Sequence, residues 1–197
     1  MLPLLLALAC APKPAAPEAP AADAPAAPEA PAAEVPAAPA PEGETVSPPV
    51  TLEEFRAAFP AGTTIRLGVQ VAGQPPLEER WEWTAVDAEG GTMRSTTLGP
   101  DGSVLQEAEA RVLWTDLMGH ARFPADRTVV TDSRVTVPAG TFETWLYTVT
   151  GDDPTEIRRY HFAREMPGPP VLFTIETAGT EVFRMEVLER TPMPAGK

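Results

Sequence analysis

The sequence is poor in cysteine, histidine and basic residues. Its 197 residues contain one cysteine, Cys10, and two histidines, His120 and His161, so no disulfide can form within the chain. Lys and Arg number 15 against 28 Asp and Glu, a formal net charge of −13. Because phosphate contacts need a basic surface, this balance argues against nucleic acid as a partner.

Common catalytic patterns are also missing. There is no G-x-S-x-G, no glycine-rich phosphate loop and no H-E-x-x-H, and residues 50–197 contain no thiol. His161 and Glu165 could face a metal together on a helix, but Phe162 and the following MPGPP indicate a strand and a turn. We therefore predict a protein that is not an enzyme, with no catalytic residues, no cofactor and no metal.

The first ten residues, MLPLLLALAC, combine a short apolar run with the only cysteine. The run is too short to cross a bilayer as a helix, which takes about 20 residues, but it suits the apolar part of a secretory signal. It ends Ala7-Leu8-Ala9-Cys10, which resembles the signal of a bacterial lipoprotein, although Ala7 stands where leucine is usual. The resemblance implies a signal peptide over 1–9 and lipidation of Cys10. Because no basic residue precedes the run, we expect the true start codon to lie upstream.

Alanine and proline dominate the chain from Ala11 to Pro49. Recurring prolines prevent a continuous helix, and no side chain of this tract is large enough to build a core. We predict that residues 10–49 comprise the lipidated cysteine followed by a disordered linker.

The composition changes at Val50. All four Trp, both Tyr and all seven Phe lie in residues 50–197, which we predict to be a single β-rich domain. Alternation is clearest in TTIRLGVQVAG, and turn sequences such as GPDGS recur every 8–12 residues or so, the spacing of an antiparallel meander.

Two short helices interrupt this pattern. TLEEFRAAFPAG begins with a capping box formed by Thr51 and Glu54, and VLWTDLMGHARF repeats Leu113, Leu117 and Ala121 every four residues. The combination predicts a mainly β fold: a curved antiparallel meander, as in a half-barrel or partial barrel, with one or two short helices. A closed up-and-down barrel is the alternative.

The best-defined turn is VPAGTF, residues 137–142. Pro138 fixes its own φ and Gly140 supplies a positive φ, so PAG predicts a tight turn. Together with YHFA and MPGPPV, this segment resembles uncharacterised bacterial envelope lipoproteins over roughly Val135 to Val171. The resemblance implies a β domain similar to the lipoprotein carriers and an envelope location, and it brings no catalytic residue with it.

Two functions therefore remain open. In the first, the chain is lipid-anchored at Cys10 in the outer membrane, facing the periplasm, and its β domain acts through protein contacts or envelope assembly. In the second, the hollow of the sheet carries a lipid or another apolar ligand, with Trp81, Trp83, Trp145 and Tyr147 as candidate contacts. A filled hollow would favour the first function and an open cavity the second.

Overall fold

The computed structural model describes residues 43–192. Nine strands form one antiparallel sheet in the order β5-β4-β3-β2-β11-β10-β9-β8-β7. Their bounds are β2 Thr64–Val71, β3 Leu77–Val86, β4 Gly90–Leu98, β5 Val104–Leu113, β7 Thr128–Val137, β8 Gly140–Thr150, β9 Glu156–Ala163, β10 Leu172–Thr177 and β11 Thr180–Thr191. Two further short strands, β1 Thr45–Val46 and β6 Phe123–Pro124, pair with each other.

The sheet consists of two meanders joined in the middle. Strands β2 to β5 run outward to one edge, strands β7 to β11 run inward from the other edge, and β2 pairs with β11. The predicted open antiparallel meander is confirmed, and the closed barrel is wrong, because β5 and β7 occupy opposite edges and do not pair. The connection from β5 to β7 must therefore cross the sheet.

Both predicted helices are present. Helix α1 spans Leu52–Ala57, and its capping box is confirmed: the Glu54 amide donates to the Thr51 hydroxyl, and the Thr51 amide donates to the Glu54 carboxylate. Helix α2 spans Trp114–Gly119 and lies on the crossing connection, followed by β6 and a 3-10 turn over Ala125–Arg127. Of the residues in α2, Trp114 is the buried one, and Leu113 of the predicted stripe remains 40% exposed.

One face of the sheet, here called the inner face, carries Ile65, Leu67, Val69, Trp83 and Met93, all buried. The two helices pack against it through aromatic side chains. Charged residues of the same strands alternate onto the opposite face, where Arg66 pairs with Glu78 and Glu189 at 2.8 and 2.9 Å. These pairs are partly exposed, so each contributes at most about 1 kcal/mol, less than the burial of one large apolar side chain on the inner face.

The β7–β8 hairpin shows how strongly the sheet curves. Its two-residue loop, Pro138 and Ala139, is closed by the pair Val137 and Gly140. Gly140 has φ +144°, as the predicted tight turn requires. The Ala139 amide donates to the Val187 carbonyl on β11 at 3.2 Å, although three strands separate β7 from β11. The hairpin tip therefore folds back onto the middle of the sheet.

The described structure also includes the end of the predicted linker. Val46 pairs with Phe123, and the Tyr147 hydroxyl donates to the Ser47 carbonyl at 3.1 Å. Residues 43–49 thus lie against the domain, so the boundary that we predicted at Val50 comes seven residues too late. The Val46 side chain packs against the cluster that contains Phe123 and Tyr147. Val46 follows the alanine and proline repeats and is not part of them. The predicted signal peptide, Cys10 and the linker up to residue 42 lie outside the described residues.

Candidate binding site on the inner face

The strand register aligns seven apolar side chains across the inner face. Each is the direct cross-strand partner of the next, from β3 through β2, β11, β10, β9 and β8 to the edge strand β7. We call this set the transverse row, and its members in spatial order are Leu77, Val69, Met185, Phe173, Tyr160, Tyr147 and Val130. A continuous apolar row of this kind can bury an extended apolar surface of a ligand or a partner.

The middle of the row is partly open. Tyr160 and Phe173 stack with ring centroids 4.4 Å apart and planes only 9° apart, and both are half-buried. Phe123 of β6 lies 4.7 Å from Tyr160 on one side, and Phe183 of β11 lies 5.3 Å from Phe173 on the other. These four rings form a continuous line of contacts from Phe123 on the short strand β6 to Phe183 on β11.

The inner face of the first meander is closed. Phe59 of the α1 end lies 5.2 Å from Trp83, and Trp114 of α2 lies 5.0 Å from the same indole. Phe55 completes the cluster at 4.9 Å from Phe59. Trp83 and Trp114 are each 2% exposed. The hollow that a ligand would need at this point is filled by the protein's own side chains.

The four residues proposed from the sequence as ligand contacts occupy different environments. Trp83 belongs to the closed cluster, and half-buried Trp81 packs against the same core. Tyr147 belongs to the transverse row but is 4% exposed, and burial raises the pKa of its hydroxyl. Trp145 is half-buried, with the Arg164 guanidinium 5.1 Å above its ring. The structure brings Trp145 and Tyr147 together on β8 and places Trp81 and Trp83 on β3 of the other meander.

Glu79 is a half-buried carboxylate on the inner face. Glu79 is paired across the strands with Leu67 and Thr97, and the Thr97 hydroxyl donates to Glu79 Oε1 at 2.6 Å. Burial raises the pKa of Glu79, and hydrogen bonds from Thr97 and Trp81 partly oppose that shift. Glu79 therefore takes up a proton more readily than an exposed glutamate does.

Sequence reasoning missed Tyr160, Phe173, Phe183 and Met185. Each has an apolar neighbour two positions away, such as Phe162 or Ile175, so alternation marks the inward positions. Alternation within one strand says nothing about which residue of another strand lies opposite. The row depends on six separate registers, and those arise from packing between distant parts of the chain.

Two groups of features are absent from residues 43–192. No three or more His, Cys, Asp and Glu side chains gather closely enough to hold a metal ion. No helix in this range has the length and apolar character needed to cross a membrane.

Comparison with known proteins gives a short result. No family model matches the sequence, and no curated protein matches it. Among solved structures, the chain is similar to a crystal structure described as a "putative lipoprotein" from Parabacteroides distasonis, with a TM-score of 0.44 and 9% sequence identity. The alignment covers 68% of this chain and 98% of that chain.

Proposed function

We propose that this chain is a lipid-anchored protein of the bacterial envelope whose β domain works through contacts with other proteins. Cys10 carries the anchor, residues up to about 42 act as the tether, and the domain faces the periplasm from the outer membrane. The domain is not an enzyme in this proposal and needs no cofactor.

One structural observation favours protein contacts over ligand transport. Trp83, Trp114, Phe55 and Phe59 fill the inner face of the first meander, where a carrier would keep an open hollow. Two surface pockets lie elsewhere, one beside Glu44 and Asp126 and one around Arg80 and Glu107, and neither is lined by the transverse row.

The anchor is tested by fractionating cells that express the full chain. The parent should remain with the membranes, and Cys10→Ser should appear in the soluble periplasmic fraction, because two or more acyl chains are needed for stable anchoring and the variant has none. A Cys10→Ser protein that stays in the membrane fraction would show that the anchor is elsewhere.

The half-buried rings of the transverse row support a second candidate function, binding of an apolar chain. Tyr160 and Phe173 offer stacked ring faces that the helices leave partly open. An acyl chain lying along the row would contact aromatic and aliphatic groups on both sides, and burying each methylene is worth about 0.8 kcal/mol.

A brominated fatty acid separates the two candidates, since bromine quenches nearby indoles. A carrier should show saturable quenching that weakens in Trp145→Phe, because Trp145 lies two residues from Tyr147 on the same face of β8, and Phe173→Glu should abolish it. Val129→Glu, on the 62% exposed side chain of β7, is the matched control. Absence of quenching in the parent protein would leave protein contacts as the function.

A further inference from the structure

Strongly exposed apolar side chains concentrate on the two edge strands. Val129 and Val130 of β7 are 62% and 40% exposed, and Val104, Leu105 and Leu113 of β5 are 60%, 60% and 40% exposed. Of the described residues, Leu52 in α1 is the other large apolar side chain in this class. Edge strands with apolar side chains are the part of a sheet most open to pairing with another chain.

Strand β7 has a long and regular free edge. It runs for ten residues without proline, glycine, lysine or a bulge in its pairing with β8. Val137 and Gly140 close the two-residue hairpin, so odd-numbered residues of β7 exchange backbone hydrogen bonds with β8. The even-numbered residues direct their amides and carbonyls away from the sheet, and none of these groups has a backbone partner among residues 43–192.

We propose that β7 pairs antiparallel with β7 of a second copy of this chain, with Ser133 opposite Ser133. In this register Asp132 lies opposite Arg134 of the second copy, and the two-fold axis forms the same pair again. Val129 lies opposite Val137, and Thr131 lies opposite Val135. The outward-pointing backbone groups at even positions then bond to each other, so charge, apolar contact and backbone geometry agree in one register.

The two neighbouring registers of the β7 pair place like charges opposite each other. Centring the pair on Asp132 sets two aspartates opposite each other, and centring it on Arg134 sets two arginines opposite each other. Like charges directly opposite are destabilising, so the Ser133 register is favoured. A two-fold arrangement also closes on itself, whereas head-to-tail pairing of β7 with β5 would extend without limit.

The charged side chains that this register would pair are exposed in the single chain. The side chains of Asp132 and Arg134 are 83% and 71% exposed. Within one chain Asp132 pairs with Arg164, and Arg134 lies 3.5 Å from Glu143. Pairing two copies would connect these into an alternating network of four charges, which adds to the interface without removing the existing pairs.

The other edge is less suited to self-pairing. The two registers that overlap most of β5 are centred on Ala108 and Glu109. The first sets Glu107 opposite Glu109, and the second sets Glu109 opposite itself. Strand β5 therefore serves as the control surface, and Glu109→Arg is the control variant. The proposed pairing needs no lipid anchor, so its test is independent of the proposed function.

Sedimentation equilibrium of the full chain carrying Cys10→Ser tests the proposal without acyl chains or detergent. We expect a reversible dimer, and we expect Asp132→Arg and Arg134→Asp each to raise its dissociation constant by about tenfold or more. The double variant Asp132→Arg/Arg134→Asp should regain the dimer, and a mixture of the two single variants should form a heterodimer. Glu109→Arg should leave the constant unchanged.

A cross-link tests the register itself. In the same background, Ser133→Cys should form a disulfide-linked dimer, because facing residues at a pair without backbone hydrogen bonds have Cα atoms about 4.5 Å apart. Thr131→Cys, offset from its counterpart by four residues, should not. Circular dichroism melting verifies that each variant is folded. A monomeric parent, a dimer that ignores both charge reversals, or failure of the double variant to recover would each overturn the proposal.

Discussion

Arg190 is a buried cation whose partners in the described structure are uncharged. Its side chain is 3% exposed, and burial lowers the pKa of the guanidinium to about 10, so it remains charged at neutral pH. It donates to the carbonyls of Ala58 and Pro167, the latter at 2.7 Å, and lies 4.6 Å from the centre of the Phe59 ring. One side chain therefore joins the end of α1, the loop after β9 and the last strand.

Substitution of Arg190 should be costly even when the charge is kept. Lysine presents a single ammonium and cannot span two carbonyls as the planar guanidinium does, so Arg190→Lys should lose about 2 kcal/mol. Arg190→Ala should lose about 4 kcal/mol, because it removes the hydrogen bonds, the ring contact and the packing together. Urea denaturation measures both, with the exposed Arg94→Lys as the control; equal midpoints for Arg190→Lys and the parent would contradict this role.

Glu79 and Glu78 are adjacent but should respond to pH in opposite directions. Burial raises the pKa of Glu79, so this side chain holds its proton more tightly in the folded protein than in the unfolded chain. Its contribution to the free energy of unfolding is present at low pH and is lost as pH rises through the folded pKa. The hydrogen bond from Arg66 lowers the pKa of Glu78, so that contribution is present at neutral pH and lost as pH falls.

Isosteric glutamines test this difference. At pH 7, Glu79→Gln should melt higher than the parent by about 1–3 °C, and Glu78→Gln should melt lower by a similar amount. The Glu79 difference should shrink as pH falls towards 4, because the parent carboxyl takes up its proton there. The Glu78 difference should shrink only at lower pH, as pH falls through its lowered pKa. Thermal melts at several pH values decide the matter, and shifts of the same sign for both variants would refute the assignment.

At the scale of the elements, the β7–β8 hairpin contains a glycine with positive φ at the start of β8. Gly140 has φ +144°, and a Cβ there would meet the Phe142 ring at 3.5 Å, which is ordinary contact. The cost of adding a side chain therefore comes from the backbone conformation, and space is not the limiting factor.

We expect Gly140→Ala to lose about 1–2 kcal/mol and Gly140→Val to lose more, since a bulky side chain tolerates positive φ poorly. Trp fluorescence should change as well, because a shifted hairpin would move Trp145. Gly102, at φ +77° with open space around it, is the matched control and should lose stability with less change in fluorescence. A Gly140→Val protein with the parent's denaturant midpoint would show that the turn tolerates a side chain.

Local patterns predicted the elements well. Thr51 and Glu54 are three residues apart and cap the N-terminus of helix α1 through contacts within this short segment. Features that depend on distant contacts were missed: Trp114, outside the predicted stripe, is buried because α1 brings Phe55 and Phe59 to it.

At the scale of the whole molecule, the domain begins before Val50. Deleting residues 11–42 should leave the melting temperature unchanged, because this alanine- and proline-rich tract lacks the large apolar side chains that build a core. Deleting 11–49 should lower it by several degrees, since the β1–β6 pair and the Tyr147 hydrogen bond to Ser47 are lost together. Differential scanning calorimetry compares the two, and Tyr147→Phe isolates the hydrogen bond. Equal melting temperatures for both deletions would show that residues 43–49 contribute nothing.

The pairing of β2 with β11 also determines when the sheet can be completed during folding. Ribosomes release the chain from its N-terminus, so β2 to β5 emerge long before their partner at Thr180–Thr191. Until then β2 is an unpaired edge beside an apolar face, a state that invites association with other chains. The join between residues 64–71 and 183–191 closes a loop of more than one hundred residues, which slows folding. A chain that ends between β10 and β11 would contain strands β2 to β5 and β7 to β10 but not the strand that pairs with β2 and β10, so the two parts of the sheet could not join.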